Sequence, residues 1–294
     1  MGGIGAIRQS EARWIVDKTG KNLSVVPPGF QSVNLYLIVE GAGRLLEFAK
    51  QAFGAEVRLR VPRPDGSIMH SEVQVGDVIL EAGDAGGEWK PMPANLHYYV
   101  KDVDQVYRQA IQAGAKSLYD PRDMEYGDRE AGVRDACGNN WFIATHKGGT
   151  SYRPVHFKDV TIGLSLKDAA GFVAFAEKAF GAAMLERNQG KDGTLGHGVI
   201  RLGDTTIELS EAHGEWAPRP VGLHYYVEDC DGAFQRAAAA GATILSEPQD
   251  KPYGERSGGA QDPWRNHWYI ATRTRELSQE ELDRFTNPEV KSAE

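Results

Sequence analysis

The chain contains an internal repeat, and this repeat restricts its fold more than any other feature of the sequence. Residues 96–100 read LHYYV and recur as residues 223–227, so that His224 follows His97 at an offset of 127 positions. The match runs without a gap from residues 33–145 to residues 160–272, and roughly two in five aligned positions are identical. An ungapped internal match of this length predicts two copies of one structural unit.

Composition restricts the partners of the chain. The 294 residues carry a formal net charge of −8, which offers no basic surface to a nucleic acid. Cys137 and Cys230 stand at non-equivalent positions of the repeat, so we expect free thiols in a reducing compartment. Residues 1–15 lack the apolar core of a signal peptide, and no stretch has the length of a membrane span. We therefore expect a cytoplasmic protein whose partners include neither nucleic acid nor membrane.

Within each copy, the hydrophobic pattern predicts a strand, a helix and three strands, followed by the same order again. Apolar residues alternate along Val33–Val39, which is typical of a strand. Residues 41–53 place apolar side chains three and four positions apart, which predicts a helix that Gly54 ends. Each copy should therefore hold two β-α-β-β-β modules, and the chain should hold four. In the first copy we predict further strands over residues 56–61, 68–75, 78–82, 96–101, 116–119, within 126–133 and over 140–145, and a second helix over residues 103–113.

The repeat and its flanks divide the chain into five parts. We predict an N-terminal extension (1–31), a first domain (32–146), a linker (147–158), a second domain (159–273) and a C-terminal tail (274–294). Residues 10–18 are expected to form a short helix, with residues 14–16 packed on the body of the protein. The tail is expected to be helical through Phe285, with Ser278 as its N-cap, and to fray beyond Pro288.

Four phrases of the sequence suggest a family: residues 53–55 (FGA), 64–70 (PDGSIMH), 126–129 (YGDR) and 135–141 (DACGNNW). Together with the four modules they resemble the vicinal oxygen chelate superfamily, which includes glyoxalase I, bleomycin-resistance proteins and extradiol dioxygenases. The wording is most similar to the PhnB-like branch, here duplicated in tandem, although Arg265 replaces the glycine of the last phrase in the second copy. The resemblance implies an α+β fold in which four modules pair into two glyoxalase-like domains.

The resemblance also implies where a ligand binds, because paired modules of this superfamily curl their strands into a trough that holds the ligand on its concave side. Strand alternation then sends His70, Glu81, His97 and Tyr99 into the trough of the first copy. The equivalent inward residues of the second copy are His197, Glu208, His224 and Tyr226. The side chains predicted to pack on the helix side are Met69, Val73, Val75, Leu96, Tyr98, Val100, Trp141 and Ile143.

Metal enzymes of this superfamily place four ligands on the first and last strands of paired modules, and only two of the eight corresponding positions here hold a good ligand. Those two are Glu81 and Glu208, whereas a divalent ion needs three or more. We therefore expect no cofactor. A divalent metal is the alternative, since His70, Glu81 and His97 would supply the two-histidine, one-carboxylate set of iron(II) sites. The other six positions hold Asn34, Asn95, Phe142, Thr161, Gly222 and Tyr269.

The candidate catalytic residues are Glu81 and Glu208, the carboxylates that both copies keep. In a trough, Glu81 could have a raised pKa and act as a general base. Arg129 or a backbone amide could equally hold it. His70 and His97 could contact a ligand or close the floor of the pocket by hydrogen bonds.

Two further pairs of residues are candidates for ligand binding. Trp89 and its equivalent Trp216 lie on loops rich in glycine and proline, where each could cover a ligand or fill the loop. Arg129 and its equivalent Arg256 could bind an anionic group. For Arg129, an ion pair with Asp128 or Asp135 is the competing interpretation.

These observations favour a protein that binds a small organic molecule in a concave trough, without the full metal site of the superfamily. A metal-dependent lyase, isomerase or dioxygenase that uses Glu81 and Glu208 is the alternative, and bound metal would discriminate the two. We expect a monomer with pseudo-dimeric domains, or a homodimer.

Overall fold

The structure of the protein is a computed structural model that describes residues 14–17, 20–190, 192–214 and 216–286. The described chain begins with a small antiparallel hairpin of β1 (Trp14–Val16) and β2 (Asn22–Ser24). The predicted helix is therefore wrong at residues 14–16, which are extended because they pair with β2. Trp14 and Val16 are exposed rather than packed on the body. Residues 10–13, 18 and 19 lie outside the described part.

Four β-α-β-β-β modules follow, as the repeat predicts. In each module the last three strands are antiparallel, and the first strand pairs in parallel with the last. The strands and helices of the four modules have the following bounds. Module 1 is β3 (Val33–Val39), α1 (Ala42–Phe53), β4 (Glu56–Pro62), β5 (Ile68–Val75) and β6 (Val78–Asp84); module 2 is β7 (Asn95–Tyr99), α2 (Val103–Gln112), β8 (Lys116–Asp123), β9 (Asp128–Arg134) and β10 (Asn140–His146). Module 3 is β11 (Val160–Leu166), α3 (Ala169–Phe180), β12 (Ala183–Gln189), β13 (Leu195–Leu202) and β14 (Thr205–Glu211); module 4 is β15 (Gly222–Tyr226), α4 (Cys230–Ala239), β16 (Thr243–Lys251), β17 (Glu255–Gln261) and β18 (His267–Arg273).

Local chemistry explains where the helices begin and end. Asp102 caps α2, because its carboxylate accepts a hydrogen bond from the backbone N–H of Gln105 at 2.9 Å. Helix α1 ends at Gly54, whose φ of 66° lies in the left-handed region that favours glycine. Both residues can be identified in the sequence, and the predicted boundaries of the two helices agree with the structure to within one residue.

The modules pair across the two copies of the repeat rather than within each copy. One eight-stranded sheet has the order β16-β17-β18-β15-β3-β6-β5-β4 and joins module 1 to module 4. The other has the order β12-β13-β14-β11-β7-β10-β9-β8 and joins module 2 to module 3. The predicted α+β class with paired modules is thus confirmed. The expectation that the two modules of one copy share a trough is wrong. Strand alternation could not distinguish the two pairings, because either one buries the same strand faces.

One continuous apolar core joins both sheets to helices α1–α4. Trp141 and Trp268 are fully buried in it, as alternation predicted for Trp141. Each indole N–H donates a hydrogen bond at 3.0 Å, to the carboxylates of Asp135 and Asp262 respectively. The core therefore occupies the helix side of each sheet, and the opposite faces form the troughs.

The C-terminal tail forms α5 (Gln279–Thr286), as predicted. The Ser278 hydroxyl accepts a hydrogen bond from the backbone N–H of Glu281, whose carboxylate accepts one from the backbone N–H of Ser278. This reciprocal pair is a capping box and confirms Ser278 as the N-cap. The predicted fraying beyond Pro288 concerns residues outside the described part. Among the described helices, none combines the length and apolarity needed to cross a membrane.

Candidate functional site

The concave face of the sheet formed by modules 1 and 4, which we call the first trough, contains a cavity of about 530 Å³. Its floor carries Glu81 and His224, and its sides carry aromatic and apolar residues. A cavity of this volume falls in the range of pockets that hold small organic molecules. The concave face of the other sheet, from modules 2 and 3, is the second trough.

A bulge in β5 turns two neighbouring side chains toward the cavity. Val61 pairs with His70 and Pro62 with Ile68, so Met69 is an extra residue opposite β4. Met69 is therefore 40% exposed and lines the cavity beside His70. The prediction that Met69 packs on the helix side is wrong, because the bulge interrupts the alternation and Ile68 takes the buried position.

Glu81 and His224 form a buried ion pair at the floor of the first trough. Both carboxylate oxygens of Glu81 lie 3.0 Å from Nδ1 of His224, and Glu81 is only 2% exposed. Burial acts to raise the pKa of Glu81, but His224 outweighs it and the pKa lies below its usual value. Burial likewise acts to lower the pKa of His224, yet Glu81 and Glu255 raise it to about 9. The pKa of Glu81 is thus lowered, not raised as one of the two predicted alternatives required, and His224 rather than Arg129 holds the carboxylate.

Two further carboxylates face the same cavity. Glu255 on β17 accepts a hydrogen bond from the Tyr226 hydroxyl at 3.0 Å and lies 3.6 Å from Nε2 of His224. Burial raises the pKa of Glu255 above its usual value, although His224 opposes the shift. Glu72 lies 3.6 Å from Nε2 of His70. Both carboxylates therefore keep lone pairs that a ligand could use.

Aromatic rings form one side of the cavity. The ring centroid of Tyr269 lies 5.4 Å from that of Tyr36 and 5.7 Å from that of Trp89. The Tyr36 hydroxyl also lies 3.3 Å from Nδ1 of His70. Trp89 is 45% exposed and lines the cavity, which fits its predicted role as a cover better than that of a loop filler. These rings can pack on a planar ligand.

The second trough contains the equivalent ion pair. Nδ1 of His97 lies 2.9 Å from Glu208, and Nε2 of His197 lies 3.4 Å from the other oxygen of Glu208. Burial acts to raise the pKa of Glu208, but His97 and His197 lower it to about 2. Burial acts to lower the pKa of His97, whereas Glu208 and Glu130 raise it to about 9. Glu208 is therefore the ionised partner of His97.

Larger side chains fill part of the second trough. The Tyr119 hydroxyl donates a hydrogen bond to Glu130, and the Tyr126 hydroxyl donates another to Glu130 at 2.9 Å. The repeat places Ser246 and Ser257 at the positions of Tyr119 and Glu130, and both serines line the cavity of the first trough. This exchange of large for small side chains opens the first trough on its module 4 side.

The remaining predicted residues have structural partners. Arg129 makes two hydrogen bonds to Asp104 at 2.7 and 2.8 Å, and Arg256 makes two to Asp231 at 2.5 and 2.6 Å. The predicted ion pair of Arg129 is thus real, but its partner lies in the first turn of α2 and is neither Asp128 nor Asp135. Trp216 packs on Phe142 with ring centroids 5.4 Å apart, at the equivalent of the Trp89 contact.

The Tyr99 hydroxyl, which we predicted to face a ligand, donates a hydrogen bond to Asp128 at 3.2 Å. The equivalent contact in the first trough is the one between Tyr226 and Glu255. Only Tyr226 of these two tyrosines lines the cavity of the first trough.

The structure regroups the predicted site residues. His70 and Glu81 meet His224 and Tyr226 in the first trough, while His97 lies on β7 in the second. The iron set of His70, Glu81 and His97 cannot form, because its members belong to different sheets. Across the described residues, no group of three or more His, Cys, Asp or Glu side chains is arranged to hold a metal ion.

The superfamily's metal positions do not fit a metal in either trough. Asn34 makes two hydrogen bonds with the backbone of Gln31. Its side-chain oxygen accepts one from the N–H of Gln31, and its side-chain nitrogen donates the other to the carbonyl oxygen of Gln31. The amide oxygen of Asn95 accepts a hydrogen bond from Asn140. Each trough retains one carboxylate at these positions, and that carboxylate is paired to histidine. The remaining positions hold Thr161 and Phe142 in the second trough and Gly222 and Tyr269 in the first.

Sequence reasoning missed Glu255 and the contribution of α5. Glu255 begins β17, directly before the predicted site residue Arg256, and alternation places neighbouring residues on opposite faces. The sequence therefore contained the information: if Arg256 points away from the trough, its neighbour Glu255 points into it. The contribution of α5 has no such signal, since the tail lies outside the repeat.

Comparisons with known proteins agree with this geometry. A sequence profile of the Glyoxalase/Bleomycin resistance protein/Dioxygenase superfamily matches residues 30–143 and 156–270. An uncharacterized protein of Mycobacterium bovis is 34% identical over 130 residues, which cover 40% of this chain and 86% of that protein. An uncharacterized protein of Mycobacterium tuberculosis H37Rv is also 34% identical over 130 residues, covering 40% of this chain and 76% of that protein.

Solved structures show the same fold. Glyoxalase I from Zea mays superposes with a TM-score of 0.61 at 17% identity, covering 82% of this chain and 92% of that chain. A putative dioxygenase from Bacillus subtilis superposes with a TM-score of 0.57 at 13% identity, covering 86% of this chain and 89% of that chain. At these identities, the likeness concerns the architecture and leaves the chemistry to the site itself.

Proposed function

Because the chain belongs to the glyoxalase, bleomycin resistance protein and dioxygenase superfamily, we propose that it binds a small organic molecule in the first trough without a metal ion. The observation that carries this proposal is the cavity of about 530 Å³, with a charged floor and aromatic sides. Its four superfamily metal positions offer one carboxylate, Glu81, which His224 already engages. We also propose that the chain belongs to the PhnB-like branch, because its four sequence motifs resemble that branch. We propose a cytoplasmic location because Cys137 and Cys230 are free thiols.

Elemental analysis and a ligand screen test this proposal together. Protein purified without chelators should contain no stoichiometric Zn, Ni or Fe, because neither trough assembles three ligands. A thermal-shift screen of small aromatic compounds should find ligands that stabilise the protein by mass action. One tightly held ion per trough would overturn the metal-free proposal and restore the metal-dependent lyase, isomerase or dioxygenase.

Glu255 favours a second candidate function, proton transfer on a bound molecule. Its carboxyl group lines the cavity, is partly buried, and has a raised pKa, which is the property of a general acid or base. If Glu255 transfers protons to and from a bound molecule, a ligand from the screen that is incubated with the protein in D2O should gain deuterium at a carbon atom. The Glu255→Gln variant should bind that ligand but exchange no deuterium. Equal exchange in both proteins would reject this role for Glu255.

A further inference from the structure

The helix α5 completes the first trough from outside the part of the chain that matches the superfamily. The matched region ends at residue 270, whereas Leu277, Leu282 and Phe285 all line the cavity. The capping box at Ser278 fixes where the helix begins. An ion pair at 2.8 Å between Arg275 and Glu281 ties the helix to the segment that leads into it.

The apolar face of α5 is only partly covered by the protein. No residue of α5 is fully buried, although Leu282 and Phe285 point into the cavity. Leu59 and Val61 of β4, the strand that α5 packs against, and Met69 of β5 add further apolar surface. A ligand with an apolar body would remove these surfaces from water, which is favourable in proportion to the area covered.

Carboxylates that accept hydrogen bonds lie beside this apolar surface, since Glu72 pairs with Leu59 between β5 and β4. Glu72 and Glu255 keep lone pairs toward the cavity, while Glu81 is engaged by His224. Two basic residues also line the cavity. The Arg63 guanidinium donates to the Ser67 hydroxyl at 3.2 Å and to the backbone oxygens of Ile68 and Asp84 at 3.0 and 3.4 Å. Lys251 is the other, and its Cα pairs with that of Glu255 between β16 and β17, where His224 already lies 3.6 Å from the Glu255 carboxylate.

We infer that the first trough takes an amphipathic molecule, with an apolar body against α5 and a hydrogen-bond-donating, amine-like head at Glu72 and Glu255. This inference rests on the proposed binding function and adds the chemical class of the ligand. It also assigns Leu282 and Phe285 as ligand-contacting residues.

In the second trough the equivalent segment is not helical and packs into the trough itself. Residues 147–158 follow β10 as residues 274–285 follow β18, but they lead directly into module 3. Phe157 from this segment packs on Tyr99, with ring centroids 5.7 Å apart. Glu72 also has no acidic counterpart there, since the repeat places Val199 at its position. The amphipathic ligand is therefore specific to the first trough.

Three probes that share one ring and differ in the head group test the inference: 1-naphthylmethylamine, 1-naphthalenemethanol and 1-naphthoate. Affinities for the full chain are measured by calorimetry at neutral pH. We expect the amine to bind about tenfold more tightly than the alcohol, and the carboxylate to bind most weakly, because Glu72 and Glu255 accept hydrogen bonds and repel an anion. Hydrogen exchange of the α5 backbone amides should slow when the amine binds.

Matched variants separate the contribution of the apolar α5 surface from that of the carboxylates. Phe285→Ala should weaken all three probes by about tenfold, whereas Arg284→Ala, on the exposed side of the same helix, should leave them unchanged. Glu72→Gln should remove most of the preference for the amine, whereas Glu47→Gln, an exposed residue of α1, should keep it. Melting curves of each variant confirm that it folds.

Each outcome decides something different. If 1-naphthoate binds as tightly as the amine, or if Phe285→Ala binds all probes normally, the inference is wrong while the proposed binding function stands. If no probe binds the wild-type chain at millimolar concentration while the thermal-shift screen finds other ligands, the inference is wrong and the proposed function stands. If that screen also finds no ligand, both fail.

Discussion

At the scale of single residues, the pair of Glu81 and His224 is both the floor of the site and a joint between the two copies of the repeat. Its stability depends on both charges, because each group is buried and the other is its ionic partner. The equivalent pair of His97 and Glu208 has the same property in the second trough. Removing Glu81 takes away the carboxylate nearest to the His224 imidazolium and leaves the more distant Glu255, 3.6 Å from Nε2.

Replacing Glu81 should therefore destabilise the protein more than replacing both partners. We expect Glu81→Gln to cost about 3–5 kcal/mol, which lowers the melting temperature by about 10 °C in a chain of this size. The double variant Glu81→Gln with His224→Gln should recover most of that loss, because neither position then carries a charge. Calorimetric melting at pH 6.5 measures both. A double variant that melts at or below the single variant would show that the two side chains do not act as a pair.

The stability of the protein should depend on pH through the buried pair of the second trough. The pKa of His97 is raised from 6.5 to about 9, so its contribution is full below pH 6.5 and is lost as the pH rises toward 9. The pKa of Glu208 is lowered from 4.5 to about 2, so its contribution is full above pH 4.5 and is lost as the pH falls toward 2. Denaturant unfolding between pH 5 and 9.5 should show stability declining above pH 6.5.

His97→Gln should flatten part of this decline, and His224 accounts for the rest because its pKa is also about 9. The control is His213→Gln, which changes an exposed histidine and should leave the pH profile unchanged. A wild-type profile that is flat from pH 6.5 to 9 would contradict the raised pKa of both histidines.

At the scale of elements, β8 and β16 determine how open each trough is. Tyr119 of β8 lies on Gly132 of β9, where an added Cβ atom would come within 2.6 Å of the ring. Ser246 of β16 faces the equivalent Gly259, whose backbone N–H donates a hydrogen bond to its hydroxyl at 3.0 Å. The same sheet geometry thus accommodates a tyrosine in one trough and a serine in the other.

Ser246→Tyr should therefore close the cavity without unfolding the protein. The new ring can lie on Gly259 as Tyr119 lies on Gly132, and it would occupy space that the cavity now provides. We expect binding of 1-naphthylmethylamine to be lost and the melting temperature to be unchanged or raised by a few degrees. Ser246→Ala, which leaves the cavity open, is the control and should still bind the probe. Normal binding by Ser246→Tyr would place the site elsewhere.

Much of this element structure can be predicted from the sequence, since alternation placed His97, Tyr98 and Trp141 on the correct faces of their strands. It failed at Met69, because a bulge adds a residue that no periodic pattern announces. Alternation also left open which modules share a sheet. Both pairings bury the same strand faces, so the choice depends on contacts between strands far apart in sequence.

At the scale of the whole molecule, that choice makes the two copies interdependent. The antiparallel pairs β3 with β15 and β7 with β11 each join one copy to the other, as does the ion pair in each trough. The linker is also anchored, because Arg153 contacts both Asp77 and Asp159. Neither copy holds a complete trough, so the fused chain supplies in one molecule what two separate copies would have to assemble.

Cutting the linker should therefore leave the molecule intact. A protease site inserted between Gly149 and Thr150, where residues 147–151 are exposed, allows cleavage of the folded protein. We expect the two fragments to stay together in size-exclusion chromatography with light scattering, at the mass of 32.2 kDa expected for one uncut chain. They should separate only in denaturant, because two strand pairs and two buried ion pairs connect them. Fragments that separate without denaturant would show that the contacts between the copies do not hold them together, and a stable tetramer of the uncut chain would contradict both the expected monomer and the alternative homodimer.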